Sequence, residues 1–388
     1  MNTFRFLILM VCASALQACG GSTSTPPADA PISDVALIGR EIFFDQSLSA
    51  SGQMSCATCH DPQWGHASPF RAPVALGGAN LDVPGLRVPP AIRYLKFNTT
   101  FRFDADGTPS GGFFWDGRVN SLAEQARQPF LAPHEMANAD VQSVMARLAS
   151  ASYAGRFRQV FGDGIFNDSE AAFDRAAYAL ERYQIEAKEF APFDSKFDAV
   201  NAGNATFTEQ ELRGLTWFNR SDKGNCAACH PSTRPDNAPA ALFTDFTYDN
   251  LGVPRNVVIT ANGDARFYDM GVCGPVRNDL RARAALCGKF KVPSLRNVAL
   301  RKRFFHNGKF DNLTDVVRFY VTRDGTDGLS QALWYPSDFY DDLPSELRGN
   351  VNVTEAPYNR RGQAAALTEP EIADLVAFLK TLTDGYAP

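Results

Sequence analysis

The chain has 388 residues and a formal net charge of −5 at pH 7, with 45% hydrophobic and 21% charged residues. This composition is typical of a globular protein, and the length suggests two domains. No basic stripe runs along the sequence, so nucleic acid is not an expected partner.

Residues 1–18 are interpreted as a signal peptide. One basic residue precedes an apolar run at 6–16, which is too short to span a bilayer. Residues 16–19 then resemble a lipoprotein cleavage box, which predicts that Cys19 becomes the lipidated N-terminus. An ordinary signal peptide cut nearby is the alternative. Residues 19–32 have the composition of a flexible tether.

Either interpretation of this leader predicts an exported protein. The expected location is the periplasm, where lipidation of Cys19 would attach the chain to the outer membrane. No other stretch of the sequence is long and apolar enough to cross a bilayer. Contact with a membrane is therefore expected only through the lipid anchor.

A Cys-x-x-Cys-His motif occurs twice. It comprises Cys56, Cys59 and His60 in the first copy, and Cys226, Cys229 and His230 in the second. This is the attachment signature of c-type haem, in which two thiols add to the haem vinyl groups and the histidine becomes an axial ligand of the iron. A zinc site that uses both cysteine pairs and both histidines is the alternative. Two intact copies of the longer motif favour two haem c groups.

Two further cysteines, Cys273 and Cys287, lie in a stretch of the second half that glycine and proline interrupt. With the other cysteines assigned, a disulfide that closes this loop is the economical interpretation. We expect it to staple the loop and to take no part in redox chemistry.

An internal repeat precedes the two haem motifs. Gly39 is followed four residues later by Phe43, and Gly214 is followed four residues later by Phe218. Residues four apart share one face of a helix. Thr208 lies at the start of the second copy in a capping-box pattern. The repeat predicts that two similar units follow one another along the chain.

Helical periodicity dominates the remaining sequence. Amphipathic helices are predicted over residues 141–161 and 169–190, and a capped final helix begins near Thr368. Alternating strand patterns are scarce. The predicted fold class is all-α, with two cytochrome c-like domains at residues 33–195 and 196–388, each holding one covalently bound haem c.

Several short motifs carry a family resemblance. They are residues 113–118 (FFWDGR), 125–126 (QA), 135–136 (EM), 291–298 (KVPSLRNV), 306–308 (HNG) and 316–320 (VVRFY). Cys226 follows Cys56 by 170 residues. Over roughly residues 33–384 this combination resembles the bacterial di-haem cytochrome c peroxidase and MauG superfamily, within it the MauG-like (MbnH-like) branch.

The resemblance implies a division of labour between the haems. The N-terminal haem would meet hydrogen peroxide, while the C-terminal haem would store or deliver electrons. Glu135 matches the distal acid, which can move a proton from one peroxide oxygen to the other. Gln125 would orient water or peroxide, and Trp115 matches a tryptophan that relays electrons between the haems.

The resemblance also bears on the sixth ligand of the first haem. Many peroxidases of the family place a removable distal histidine downstream of the first motif, but Leu76 stands sixteen residues after His60 here. The only nearby candidate, His66, is expected in the loop that leaves the proximal side. We therefore expect an iron that is always open to peroxide.

The sixth ligand of the second haem distinguishes two branches of the family. Fourteen residues after His306 peroxidase-like members have methionine and MauG-like members have tyrosine, and this chain has Tyr320. Methionine favours ferrous iron, whereas a phenolate favours higher oxidation states. The alternative is that Tyr320 belongs to the helix core, in which case Met270 is the rival ligand.

Two departures from the family pattern are evident. Many members bind calcium between the domains through an asparagine side chain and through backbone carbonyl groups just before the HNG motif. At the position of the asparagine this chain has Arg93, and residues 301–303, which match the carbonyl segment, are Arg-Lys-Arg. Cations suit a calcium site poorly, so calcium is doubtful. Gly224 also stands where MauG has a tryptophan that leads electrons toward its protein substrate.

Three functions remain in contention. The first is a MauG-like enzyme that uses peroxide to form high-valent haem states and oxidises a secreted protein partner. The second is a cytochrome c peroxidase that takes electrons from a small cytochrome or cupredoxin. The third is a di-haem electron carrier without enzymatic activity. Tyr320 and the absent distal histidine favour the first, and Glu135 with Gln125 disfavours the third.

Overall fold

Helices supply most of the regular structure in the part of the chain that this computed structural model describes. That part comprises residues 31–324, 333–335, 338–361 and 363–387. The predicted signal peptide, the lipidation site Cys19 and nearly all of the predicted tether lie outside these residues, so they stay predictions.

The helices are numbered in chain order. They are α1 (Asp34–Phe44), α2 (Cys56–Cys59), α3 (Leu122–Leu131), α4 (Val141–Ala149), α5 (Ala154–Phe161), α6 (Ser169–Glu186), α7 (Lys196–Asn201), α8 (Glu209–Asn219), α9 (Leu313–Thr322) and α10 (Glu369–Lys380). The helix predicted over residues 141–161 is thus two helices, because α4 ends in a turn at Ser150 before α5 begins. The helix predicted from residue 169 is α6, and a 3-10 turn at Lys188–Phe190 completes it.

Strands are short throughout the described residues. The antiparallel pairs are β1 (Leu76–Gly77) with β2 (Val83–Pro84), β3 (Arg102–Phe103) with β4 (Pro109–Ser110), and β5 (Tyr248–Asp249) with β6 (Phe290–Lys291). Each strand has two residues, so the pairs fix the shape of loops and build no sheet core. The scarcity of strands agrees with the predicted all-α class.

The first large hydrophobic cluster is drawn from residues 38–190. Helix α1 packs on α6, and Gly39 permits the close approach, because a Cβ atom there would lie 1.9 Å from the carbonyl oxygen of Ala179. Phe43 is 1% exposed, and its ring meets that of Tyr183 edge-on at 5.6 Å. The glycine lets two helix backbones touch while the phenylalanine fills the space beside them.

The second large cluster is drawn from residues 197–382 and repeats this contact. Helix α8 packs on α10, and a Cβ atom at Gly214 would lie 2.0 Å from the carbonyl oxygen of Asp374. Phe218 is fully buried, and its ring lies 5.2 Å from that of Phe378. The predicted repeat is therefore present as two matching helix pairs. The domain boundary at residues 195–196 stays a prediction.

Side-chain caps fix where the functional helices begin. Thr208 and Glu211 exchange hydrogen bonds at the start of α8, as their spacing predicts. Thr368 likewise donates its N–H to Glu371 at 2.8 Å at the start of α10. Asn312 accepts from the first backbone N–H groups of α9, the helix that ends beyond Tyr320.

A smaller cluster surrounds the two remaining described cysteines. Cys273 and Cys287 are joined as a disulfide with their Cα atoms 5.0 Å apart. Tyr248 is buried in this cluster, and Met270 packs against it. The disulfide thus closes a short loop beside the β5–β6 pair.

No helix within the described ranges is both long and apolar enough to cross a membrane.

Candidate active site

The first Cys-x-x-Cys-His motif lies at a cavity of about 600 Å³, which we call the first cavity. Its lining includes Cys56, Cys59, His60, Trp115, Arg118, Gln125 and Glu135. The short helix α2 presents the cysteines, and its start is fixed by the Ser55 N–H, which donates to the Thr58 hydroxyl at 2.9 Å. The sequence motif and the predicted distal residues therefore meet at one cavity.

His60 follows α2, and its backbone N–H donates to the carbonyl oxygen of Cys56 at 2.9 Å. Burial lowers the pKa of the His60 imidazole to about 4, although the backbone carbonyls of His66 and Pro90 favour its protonation. The imidazole is therefore neutral near pH 7. Neutral imidazole is the form that binds a metal ion.

Glu135 is held at the first cavity by backbone contacts on both sides. Its N–H donates to the carbonyl of Ala132, and its carbonyl accepts from Gly78 of the β1–β2 hairpin, each at 2.9 Å. Burial raises the pKa of Glu135, and the nearby charge of Arg118 opposes this rise. Burial raises the pKa of the Cys56 thiol and the Glu135 charge adds to this rise, so the carboxylate lies close to the motif.

Arg118 supplies a cation to the same cavity. Its guanidinium pairs with Asp116 at 3.0 Å and donates to the side-chain oxygen of Gln128 at 2.9 Å. It also lies over the ring of Phe114 at 3.5 Å. Gln125, on α3, lines the cavity as well. A carboxylate, a guanidinium and an amide can together bind and orient a small polar molecule.

The second motif lies at a cavity of about 170 Å³, which we call the second cavity. Its lining includes Trp115, Cys226, Cys229, His230, Lys291, His306, Tyr320 and Tyr358. The Nδ1 atom of His230 lies 2.9 Å from the carbonyl oxygen of Phe243, and burial lowers the pKa of this imidazole to about 4. Because the carbonyl engages Nδ1, the Nε2 atom is left to bind a metal.

The structure separates the two candidate ligands of the second haem. Tyr320 lines the second cavity, whereas Met270 packs in the disulfide cluster and is absent from the cavity lining. Burial raises the pKa of the Tyr320 phenol above its usual range, and the charges of Cys226 and Cys229 act in the same direction. The phenol therefore lies near both cysteines of the motif.

Tyr358 is a residue that sequence reasoning missed. It lines the second cavity and stacks on Tyr320 with ring centroids 5.9 Å apart. Burial raises the pKa of its phenol well above the usual range. No motif marks it, because it belongs to an irregular segment that follows α9 by more than thirty residues.

Among the residues that the structure describes, Trp115 alone lines both cavities. Its indole N–H donates to the carbonyl oxygen of Val88 at 2.8 Å. Its own carbonyl accepts from the backbone N–H of Lys291 at 2.9 Å. These two bonds hold the aromatic ring between the two sites.

A buried ion network runs beside Trp115 and was not predicted. Arg87 lines the first cavity and Asp269 lines the second. The Arg87 guanidinium donates to Asp269 at 2.6 and 2.7 Å, and to Asp116 at 2.7 Å. Arg87 and Asp269 lie 182 positions apart in the sequence, so no local pattern could reveal their contact.

Comparisons with known proteins agree with this geometry. A family model described as "Di-haem cytochrome c peroxidase" matches residues 33–206. The methylamine utilization protein MauG of Paracoccus denitrificans is 37% identical, over 99% of this chain and 97% of its own length. The chain belongs to the di-haem cytochrome c peroxidase and MauG superfamily.

Further relatives fall in the same superfamily. The crystal structure of the di-haem peroxidase BthA from Burkholderia thailandensis has a TM-score of 0.84 and 38% identity, covering 92% of this chain and 88% of that one. A cytochrome c551 peroxidase of Nitrosomonas europaea is 27% identical over 98% of this chain and 92% of its own length. The predicted fold, all-α with two cytochrome c-like domains, is confirmed, and the protein is an oxidoreductase that acts on peroxide.

Membership of this superfamily implies two haem c groups, and both cavities fit them. Each presents two thiols and one neutral imidazole from a haem motif, with largely apolar walls. The zinc alternative requires ligands from both motifs around one ion. No group of three or more histidine, cysteine, aspartate or glutamate side chains in the described part of the chain could hold a metal ion on its own.

Two residues discussed for the first haem lie away from the first cavity. His66 is fully buried, and its ring packs on that of Phe190 at 4.2 Å. Leu76 is 54% exposed on β1. Neither side chain belongs to the lining of the first cavity. This placement favours the prediction that the iron of the first haem has one face open to peroxide, which stays a prediction.

Proposed function

We propose that this di-haem peroxidase is a MauG-like enzyme of the periplasm that uses hydrogen peroxide to oxidise side chains of a partner protein. The observation that carries the proposal is the pairing of two unlike cavities through one indole. The first cavity presents Glu135, the second presents Tyr320, and Trp115 lines both. The similarity to MauG over nearly the whole chain supports the same function.

Glu135 is suited to move a proton at the first cavity. Haem bound there would supply the iron that binds peroxide and takes up its oxidising equivalents. Glu135 can accept the proton of the nearer peroxide oxygen and return it to the farther one, so that water leaves. Its raised pKa, caused by burial, makes the carboxylate a stronger base. The positive charge of Arg118 stabilises the ionised form of Glu135 before peroxide binds.

Trp115 offers a path between the two cavities. An indole is oxidisable, and the hydrogen bonds of Trp115 to Val88 and Lys291 fix its position. The carbonyl that accepts from its N–H is a poor proton acceptor, so the indole keeps its proton when an electron passes. Trp115 thus links the site that meets peroxide with the site that oxidises the partner.

Tyr320 supports the MauG-like function over the alternative. A phenolate ligand would favour higher oxidation states of iron, whereas the thioether of Met270 would favour the ferrous state. Met270 packs in the disulfide cluster, which disfavours it as a ligand. The second candidate, a cytochrome c peroxidase that takes electrons from a small redox protein, is favoured by the similarity to the Nitrosomonas peroxidase.

The carrier without enzymatic activity is no longer in contention, because the superfamily acts on peroxide. We place the enzyme in the periplasm because residues 1–18 have the pattern of an export signal. Cys19 would anchor it to the outer membrane, and a secreted protein encoded nearby is the partner to seek.

The test compares two proteins that the enzyme could oxidise, a secreted partner and a small reduced cytochrome. The ferric protein receives one equivalent of peroxide, either alone, with a candidate secreted partner, or with a reduced small cytochrome. Absorption spectra follow the haems, and mass spectrometry of the partner reveals oxidised aromatic side chains. We expect a long-lived oxidised form of the enzyme that decays faster with the partner and leaves it modified. Rapid steady turnover with the cytochrome, and an unmodified partner, would establish the cytochrome c peroxidase function instead.

A further inference from the structure

The loop that follows the first haem motif, residues 61–67, is held by side chains distant in sequence. We call it the proximal loop, because it starts directly after His60. It closes on itself through the His66 N–H, which donates to the carbonyl oxygen of Asp61 at 2.9 Å. The His66 carbonyl accepts from Ile92 at 3.2 Å and lies close to the His60 imidazole. The position of this loop therefore bears directly on the surroundings of His60.

Arg93 is the central contact of the proximal loop. Its Nε atom donates to Nδ1 of His66 at 3.2 Å, and its Nη2 atom donates to the carbonyl oxygen of Pro62 at 3.5 Å. Its Nη1 atom pairs with Asp384 at 3.0 Å, and the two side chains are only 14% and 3% exposed. One buried guanidinium thus joins the proximal loop to the segment that follows α10.

Both carboxylate oxygens of Asp384 accept hydrogen bonds. Its Oδ2 atom accepts from Arg93 and from the Asn297 amide, the latter at 2.6 Å. Its Oδ1 atom accepts from the Tyr94 hydroxyl at 2.6 Å and lies 3.9 Å from the Arg296 guanidinium. Of the roughly four lone-pair sites of a carboxylate, three accept hydrogen bonds here, and two guanidinium groups lie beside the charge.

Lys302 and Arg303 add further positive charge near the proximal loop. The Lys302 ammonium lies 3.6 Å from the ring centroid of Trp64, which belongs to the proximal loop. Arg303 donates to the carbonyl oxygen of Arg71. The Arg301 guanidinium lies instead at the second cavity, where burial lowers its pKa to about 10 and it donates to the carbonyl oxygen of Ser294.

Calcium does not fit this arrangement. The ion needs about six to eight oxygen ligands, among them carboxylates that balance its charge. Here Arg93 occupies the position of the family's asparagine ligand, and Asp384 has its oxygens taken by other donors. Among the described residues, no cluster of acidic, histidine or cysteine side chains offers another place for it.

We propose that the Arg93 guanidinium is a built-in replacement for the calcium ion of related enzymes. It pins the proximal loop to Asp384, so the first haem keeps its surroundings without a divalent cation. Arg93 acts as a positioning residue, since it touches the loop behind His60 and not the cavity itself. Its effect should be seen at the first haem and not at the second.

The first experiment uses the wild-type holoenzyme. Metal analysis after gel filtration should find calcium far below one ion per chain. Melting temperature and ferric spectra should be the same in excess calcium chloride and in excess EGTA. Stoichiometric calcium, or an EGTA-dependent change at the first haem, would overturn the proposal. This result does not depend on peroxide activity, so it stands or falls separately from the proposed function.

The second experiment removes the guanidinium. Arg93→Asn should lower the melting temperature by roughly 5 °C, the scale expected for a broken buried ion pair in a chain of this size. It should also change the ferric EPR signal of the first haem and leave that of the second. Arg93→Lys keeps the positive charge but loses the several N–H donors of the guanidinium, so it should change the melting temperature and the EPR signal less.

Arg156→Asn is the matched control. Arg156 pairs with Glu41 at 3.0 Å, but its side chain is 45% exposed, so both readouts should stay at wild-type values. An Arg93→Asn protein with unchanged melting temperature and unchanged EPR would refute the positioning role. If that variant fails to fold, Arg93→Lys tests the positioning role and the calcium and EGTA measurements on the wild-type protein test the independence from calcium.

Discussion

The two halves of the molecule share a scaffold and differ in their cavities. In each half a helix with a buried glycine packs on a later helix, at Gly39 in the first and Gly214 in the second. In each half a haem motif follows that first helix. The first cavity, however, is about 600 Å³ and presents Glu135 and Arg118, whereas the second is about 170 Å³ and presents three tyrosines, Tyr320, Tyr340 and Tyr358.

This difference shows that the shared scaffold positions the haem ligands, whereas the other side chains of each cavity determine its chemistry. In each half a helix pair and a motif bring a histidine and two thiols to one cavity, although the first motif forms the short helix α2 and the second forms a 3-10 turn at Cys226–Ala228. The remaining wall of each cavity then decides the chemistry. The carboxylate of Glu135 and the guanidinium of Arg118 suit a small hydrophilic reactant such as peroxide, while the tyrosines of the second cavity suit a site that exchanges electrons.

The largest expected effect is the loss of one haem. Cys226→Ala removes one thioether donor from the second motif, so that motif should lose its haem while the first is retained. A pyridine haemochrome assay should find two haems per chain in the exported wild-type protein and one in the variant. The double variant Cys273→Ala with Cys287→Ala should keep both. One haem, or none, in the wild-type protein would contradict the whole interpretation.

The next effect distinguishes the first cavity from the second. Glu135→Gln should leave both haem spectra intact but slow the reaction with peroxide by about 10²–10⁴-fold, the usual range for general acid–base catalysis. Stopped-flow absorption measures this rate. A wild-type rate in Glu135→Gln would remove this carboxylate from the mechanism.

The same carboxylate predicts a pH dependence. Burial raises the pKa of Glu135 above the ordinary glutamate value of 4.5. As pH falls through this raised pKa, the carboxylate gains a proton and can no longer accept one from peroxide. The peroxide rate should therefore fall on the acidic side at a pH above 4.5, and Glu135→Gln should lack this decline.

A smaller, spectroscopic effect probes the second cavity. Tyr320→Phe should change the ferric spectrum of the second haem, and Tyr320→Met should raise its reduction potential, because a thioether favours ferrous iron. Tyr358→Phe tests whether the stacked neighbour contributes, and Met270→Ala should change nothing at this haem. If instead Met270→Ala alters the spectrum and Tyr320→Phe does not, the cytochrome c peroxidase function becomes the better proposal.

The smallest effect tests the shared scaffold. Gly39→Ala and Gly214→Ala each force a Cβ atom against a backbone carbonyl, which should cost roughly 1–3 kcal/mol of folding free energy. Denaturant unfolding should detect a similar loss for both. Gly155, in α5, has nothing within 4 Å of an added Cβ. Gly155→Ala should therefore be neutral or stabilising by about 0.5–1 kcal/mol. If Gly39→Ala and Gly214→Ala differed strongly in their loss of folding free energy, the two helix pairs would not be equivalent.

Local patterns in the sequence predicted much of this architecture. The haem motifs, the capping boxes at Thr208 and Thr368, and the repeated glycine and phenylalanine depend on residues that are close in sequence. Their geometry follows from helix periodicity and from turn chemistry. Family motifs then pointed to Glu135 and Trp115, which the structure brings to the cavities.

The contacts that could not be predicted join distant segments. Arg87 meets Asp269 across 182 positions, and Arg93 meets Asp384 across 291. Such pairs depend on how loops pack after the helices have formed, and each partner alone resembles an ordinary surface charge. Tyr358 escaped notice for the same reason, because its place beside Tyr320 is set by tertiary packing.

The contacts at Gly39 and Gly214 have a consequence for the speed of electron transfer. Each transfer requires the atoms around the donor and the acceptor to rearrange, and a stiff environment keeps this reorganisation energy small. Helices whose backbones touch leave little free volume, and tightly packed interiors are hard to compress. If electrons pass between the haems as proposed, the close helix contacts at the two glycines would restrain each haem-binding segment and so lower the energy needed to rearrange it at each transfer.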